Sequence, residues 1–447
     1  MVKKVQSGIV NTGFPVETSN IIRKFEREYS RTRKPIDVNF RNIVDWIKVG
    51  ERATHYLHPY PAKLLPHIAH FFLASEDYLS GASVLDPFGG SGTVALEAII
   101  SGRDAYYCDA NPFASLLAKV KTKKIDTFKI KSLLNIIRFV FFDISDAEIV
   151  SFNNIDYWFD KKAIFLLSQL KLAIDVSSSE SYRDFFLICF SAAVRKVSHT
   201  DPRLSVPVYK ENTEYLDAKI CKNSVWKVFS EVVNKNINRM EEYNSISQNG
   251  KFFFSGGCAK KIVLPESQGA GAKSLVDMVI TSPPYGGAQK YVRSSSLSLG
   301  WLGMTKNTAL RDYEEMSIGR EHYKKHEVLR GYDVGVKSAN KLIAEIYKDN
   351  PLRAHIAANY LLEMRDVINS VYGVLRRGGY FALVIGNNQV CGRPFVTSSY
   401  LREYCEAHGM ELAFCLIDEI KSRGLMTKRN KTAGLISREW VFLFRKK

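Results

Sequence analysis

The chain has 447 residues, 46% of them hydrophobic, and a formal net charge of +17 at pH 7. That apolar content supports sizeable cores and marks a globular protein, and the length suits one large domain with an insertion or two domains. The excess basic groups must face solvent, where a polyanion is the simplest partner; with no basic amphipathic helix or lipidation signal, nucleic acid is favoured over an acidic membrane.

The longest apolar runs, around Phe139 to Phe142 and Phe185 to Val194, are broken by charges and fall short of the roughly 18 residues a membrane span needs. The start "MVKKVQSGIVNTG" lacks an apolar core of secretory length, so a cytoplasmic protein with no membrane partner is expected. The seven cysteines (Cys108, Cys189, Cys221, Cys258, Cys391, Cys405, Cys415) form no CxxC pair and no Cys/His cluster at zinc-ligand spacing. They read as reduced, mostly buried small hydrophobes, and no metal site is expected.

Residues 1–50 form a polar, basic lead-in with a helical stretch around Asn20 to Tyr29 and an amphipathic segment through Ile43, Trp46 and Ile47. Residues 51–121 contain "ASVLDPF", "GGSGTVALEAIISG" and "RDAYYCDAN", a strand, helix and strand that make a βαβ unit, with Gly102 placed to cap the helix near Ser101. Residues 122–250 switch to helical spacing and read as an inserted helical subdomain. In residues 251–447 strands return at "KFFFSGG" and "SLVDMVITS", a helix near Tyr360 to Arg376 leads through "RRGGYFALVIGN", and "MELAFCLIDEI" with "EWVFLFRK" reads as a closing antiparallel hairpin. The fold class expected is therefore α/β, a mostly parallel sheet with an antiparallel edge hairpin and a helical insert.

Within the βαβ unit, Gly90, Gly92 and Ala95 fit G-x-G-x-x-G/A between strand and helix, and Asp109 ends the next strand about twenty residues on. Such glycines let backbone approach a nucleoside cofactor, and the acid can accept from ribose hydroxyls. Asp86, just before the turn, would repel a pyrophosphate but attract an ammonium group, which favours S-adenosylmethionine. The stretch "DMVITSPPYGG" then delivers Ser282, Pro283, Pro284 and Tyr285 to the carboxyl end of a central strand. Its two prolines make a stiff loop, suited to holding a reacting atom where about 1 Å of misplacement can cost around a hundredfold in rate.

With "DPFGGSGT", "DANPFA" and "TSPPY" in one chain, the sequence resembles the amino-methyltransferases of DNA, the cytosine-N4 and adenine-N6 enzymes. The resemblance extends to "THYLHPYPAKLLP" and "LRRGGYFALVIGN" and covers about two thirds of the chain. It implies a Rossmann-like methyltransferase fold, S-adenosylmethionine as cofactor, double-stranded DNA as partner, and a separate cognate restriction endonuclease. It implies cofactor contacts from Asp86, Phe88, Gly90, Gly92 and Asp109, and closure of the methionine end by His58, Tyr60, Ala62 and Lys63. Catalysis would rest on the Ser282 side chain and Pro283 carbonyl accepting from the amino group of a flipped base, with Tyr285 stacked on it. "FFFSGGC" departs from the family: Gly257 and Cys258 stand where many relatives place an Asp contacting the cofactor adenine. A serine heading the tetrapeptide is commoner in cytosine-N4 enzymes, so cytosine is favoured; adenine-N6 and an RNA or tRNA guanine-N2 activity stay as alternatives. Two basic segments are candidates for target recognition, residues 290–341 after the catalytic loop and "KSRGLMTKRNKTAGLISR" between the last two strands.

Overall fold

The computed structural model describes residues 17–45, 48, 50, 52–61, 63–76, 81–211, 219–246, 249–265, 275–286, 291–305, 309–329, 331–420 and 436–447. Ten strands are found among them: β1 (Ile36–Val38), β2 (Ser83–Asp86), β3 (Asp104–Tyr107), β4 (Phe252–Phe254), β5 (Val276–Thr281), β6 (Leu375–Gly386), β7 (Asn388–Val390), β8 (Arg393–Phe395), β9 (Met410–Glu419) and β10 (Arg438–Lys446). Eight of them form one sheet in the order β1-β9-β10-β6-β5-β2-β3-β4, and β7 with β8 makes a short separate ribbon. Only β10 runs antiparallel to its neighbours; every other pairing in the sheet is parallel.

The architecture is Rossmann-like α/β. From β2 the chain moves outward to β3 and β4, then returns to lay β5 on the other flank of β2. The carboxyl ends of β2 and β5 therefore flank the point where the winding reverses, the place at which open α/β sheets take ligands. Continuous apolar runs suit strands covered on both faces, and in β5 every residue except Asp277 is buried. Asp277 ties the amino ends of three strands together, accepting from the Ala82 and Ser83 amides at 2.9 Å and pairing with Arg376 at 2.5 Å.

The N-terminal segment does more than lead in. Its helix spans Ser19–Thr32, and β1 adds parallel to β9, so the closing hairpin of β9 and β10 is covered on its outer side. Trp46 and Ile47 lie outside the described residues. The Gly102 cap is present, with φ of 79° just beyond the Thr93–Ile100 helix. The helix before β6 spans Pro351–Val374, so Arg376 belongs to the strand.

Between β3 and β4 the helices Thr127–Asp143, Lys161–Ser177, Glu180–Val197 and Lys222–Ile246 share one continuous core with the sheet domain. Trp301, fully buried after the Ser-Pro-Pro-Tyr loop, meets Phe152, Phe159 and Phe190 edge-on at 6.0, 5.3 and 5.8 Å. Tyr243 Oη donates to the Thr122 carbonyl at 2.6 Å, closing the base of the helical segment onto the helix that follows β3.

Candidate active site

The glycine-rich turn is strung between fixed anchors. Asp86 Oδ1 accepts from the Phe88 amide at 3.0 Å, Asp109 Oδ2 from the Gly90 amide at 2.8 Å, and Tyr107 Oη donates to the Gly90 carbonyl at 2.7 Å. Gly92 has φ of 75°, and a Cβ there would lie 2.7 Å from Ala118 Cβ, so both backbone conformation and packing require glycine. Burial pushes Asp86 up to about 7 against the pull of the Thr281 hydroxyl and Phe88 amide, with Asp109 adding to the rise. Burial likewise pushes Asp109 up to about 6, against the pull of two backbone amides. Neither carboxylate pairs with a cation among the described residues. Two carboxylates held without counter-charge beside an open glycine turn fit a ligand that brings an ammonium and ribose hydroxyls and no phosphate.

Across the reversal point, Thr281 Oγ1 donates to Asp86 Oδ1 at 2.6 Å, and the chain passes directly into Ser282. Pro283 and Tyr285 are buried, and Ser282 and Pro284 are half-buried. The loop is clamped from the β6 side: Asn388 Nδ2 donates to the Gly286 carbonyl at 2.6 Å. Tyr285 is 8% exposed, its hydroxyl donates to Glu439 Oε1 at 2.5 Å, and its ring lies where a Cβ on Gly386 would come within 2.9 Å. As placed, the ring rests against the end of β6.

The "HPYP" segment lies over the start of the helix after Asn111. His58 meets the Phe113 ring edge-on at 4.9 Å, and Tyr60 stacks with it at 6.5 Å. Asn111 caps that helix through its Oδ1 and donates through Nδ2 to Ser295 Oγ at 3.0 Å. Ser191 Oγ donates to Ser298 Oγ at 2.7 Å, so His58 Nε2–H donates to Ser191 Oγ at 3.2 Å. Burial pushes His58 down to about 3, so it is a neutral donor. Lys63 gives its ammonium to the His55 and His58 carbonyls at 3.1 and 3.3 Å, and burial, helped by Arg239, pushes it down to about 8. Ala62 lies outside the described residues.

Three participants carried no motif. Glu97, 1% exposed on the Thr93–Ile100 helix, is paired with Arg52 and accepts from His55 at 2.7 Å and His70 at 3.2 Å. Burial pushes its carboxyl up, but Arg52 and the two imidazoles outweigh that and hold it well below the usual range. Lys121, also 1% exposed, donates to the Ser91 carbonyl at 2.8 Å, and Ser191 comes from the helical segment. A single acid inside the apolar helix "TVALEAII" was the available signal for Glu97; Lys121 and Ser191 had none.

Cys258, at the departure from the family pattern, is exposed, and the buried Ser255 before it has a hydroxyl with no partner among the described residues. Of the two basic segments, the second falls largely on residues 421–435, outside the described residues. In the first, Tyr323 and Tyr332 lie against the Pro351–Val374 helix: the Arg320 guanidinium sits 4.0 Å over Tyr323, which meets His355 edge-on at 4.4 Å, and Tyr332 Oη bonds His355 Nδ1 at 2.7 Å.

Residues 54–145 match the family described as RMKL-like, methyltransferase domain. The chain is 25% identical over 402 residues to the type II methyltransferase M.MvaI of Kocuria varians, across 85% of this chain and 87% of that one. The comparisons support a methyltransferase. The chain is also 28% identical over 127 residues to the type II methyltransferase M.MjaII of Methanocaldococcus jannaschii, across 27% of this chain and 24% of that one. Among solved structures, TrmN from Thermus thermophilus aligns over 87% of this chain and 50% of its own, at 13% identity and a TM-score of 0.30, a likeness that carries no argument. Among the described residues, no helix is long and apolar enough to cross a membrane.

Proposed function

We propose that the chain is a site-specific DNA methyltransferase that uses S-adenosylmethionine to modify the exocyclic amino group of a flipped base, with cytosine-N4 favoured. The observation that carries this reading is the Thr281–Asp86 bond at 2.6 Å, which joins the acid of the glycine turn to the Ser-Pro-Pro-Tyr loop across the reversal point. Asp86 would hold the cofactor ammonium, Asp109 the ribose, the Gly90 and Gly92 turn the close backbone approach, and His58 with Lys63 the lid over the methionine end. The cofactor, when bound, supplies a sulfonium-activated methyl group.

An exocyclic amino nitrogen is a poor nucleophile because its lone pair is delocalised into the ring. The Ser282 hydroxyl and Pro283 carbonyl would accept its two hydrogens and favour a tetrahedral nitrogen, so rate comes from positioning and hydrogen bonding without a covalent enzyme intermediate. Tyr285 would stack on the extruded base, which requires the ring to leave Glu439 or present a face beside it. Residues 290–341 and the basic loop before β10 would contact DNA. The type II relatives support DNA as substrate, and a restriction endonuclease on a separate chain would be the partner that this reading implies.

The test is incubation with labelled S-adenosylmethionine and unmethylated genomic DNA, followed by nuclease digestion and mass spectrometry of the nucleosides, alongside Ser282→Ala. N4-methylcytosine that disappears in the variant supports the reading, and N6-methyladenine changes the base alone. Unlabelled DNA with a labelled transfer-RNA pool refutes the DNA substrate.

A further inference from the structure

Thr281 stands between the two halves of the site. It is 1% exposed, ends β5, and hands the chain to Ser282. Its neighbours Val279 and Ile280 are apolar and fully buried, so packing alone would accept valine at 281 and needs no hydroxyl. What the hydroxyl reaches is Asp86, a carboxylate 4% exposed. The Thr281 hydroxyl and the Phe88 amide both bond Oδ1, so among the described residues Oδ2 has no donor.

Resting on the methyltransferase reading above, we propose that Thr281 is a positioning residue: its hydroxyl occupies Asp86 Oδ1 so that Oδ2 is presented to the ammonium of the bound cofactor. Because the same residue seats the Ser282 loop, the orientation of the cofactor acid and of the catalytic loop depend on one side chain. The titratable groups facing Asp86 are Asp109, Cys108 and Tyr107, at and beyond the end of β3. Asp109 opposes a negative charge at Asp86, burial keeps the Cys108 thiol and the Tyr107 phenol neutral, and the Thr281 hydroxyl and Phe88 amide favour the charge. Losing the hydroxyl moves Asp86 further up, so less of it is ionised near neutral pH.

The test is titration calorimetry of the full chain with S-adenosylhomocysteine, which keeps the ammonium, between about pH 6 and 9. For Thr281→Val the expected result is affinity about tenfold lower near pH 7, with the acid limb of the pH profile moved up by about one unit. Thr281→Ser should restore both. In an Asp86→Asn background, Thr281→Val should add nothing, because the carboxylate it orients is gone. If Thr281→Val fails to fold, Thr281→Ala carries the same comparison. Wild-type affinity and pH profile in the variant, or an equal loss with Asn at 86, overturns the inference while cofactor binding stands; no binding by the wild-type chain overturns the methyltransferase reading with it.

Discussion

Replacing Glu97 with glutamine keeps the size of the side chain and removes the charge that Arg52 faces. Both side chains are secluded, at 1% and 10% exposure, so the loss leaves a guanidinium poorly solvated and without counter-charge. Breaking a buried ionic group in this way costs about 3–5 kcal/mol. Unfolding entropy of about 2.1 cal/mol/K per residue gives a 447-residue chain that melts as one unit about 0.9 kcal/mol/K, so the midpoint should fall by about 3–5 °C. Scanning calorimetry at pH 7.5 measures it. The control is Glu241→Gln, which breaks the Lys131–Glu241 pair, exposed at 53% and 44%, and should shift the midpoint by less than about 1 °C. Glu97 also holds His55, and through it the segment that carries His58 and Lys63, so cofactor affinity should fall with stability. A Glu97→Gln midpoint within about 1 °C of the control would refute the reasoning.

Asp86→Asn should stabilise the cofactor-free chain while weakening cofactor binding. A carboxyl raised from 3.8 to about 7 contributes stability that is full below its unfolded value and lost as pH rises through its folded value. The variant's stability should therefore exceed that of wild type at pH 8, by on the order of 4 kcal/mol, and converge with it toward pH 4; thermal melts across pH check this. Gly386→Ala would place a Cβ 2.7 Å from Ile436 and 2.9 Å from the Tyr285 ring. Overpacking of about 1–3 kcal/mol and a slowed single-turnover methyl transfer are expected, with S-adenosylhomocysteine affinity unchanged; unaltered turnover would mean that the Tyr285 seat is not limiting.

Where one element and its turn carried the chemistry, the residues could be read in order. The glycine turn needs φ above zero at Gly90 and Gly92 and a close approach to Ala118 at Gly92, conditions that favour glycine, so both were visible before any fold was known. The β5 run and the stiff prolines after it were visible for the same reason. β1 escaped because three residues beside a helix carry no periodicity, and they became a strand only where β9 offered an edge.

Glu97, Lys121, Ser191 and the Thr281–Asp86 bond are different in kind. Thr281 and Asp86 are 195 positions apart, and His58 and Ser191 are 133 apart; each pair meets only because the sheet reverses its winding or the helical segment folds back on the sheet domain. Local propensity and steric rules act over a few residues and therefore specify turns, strands and helices from order alone. Partners of a buried charge or hydroxyl are set by which elements the completed core brings together, and in this chain those partnerships assemble the candidate site.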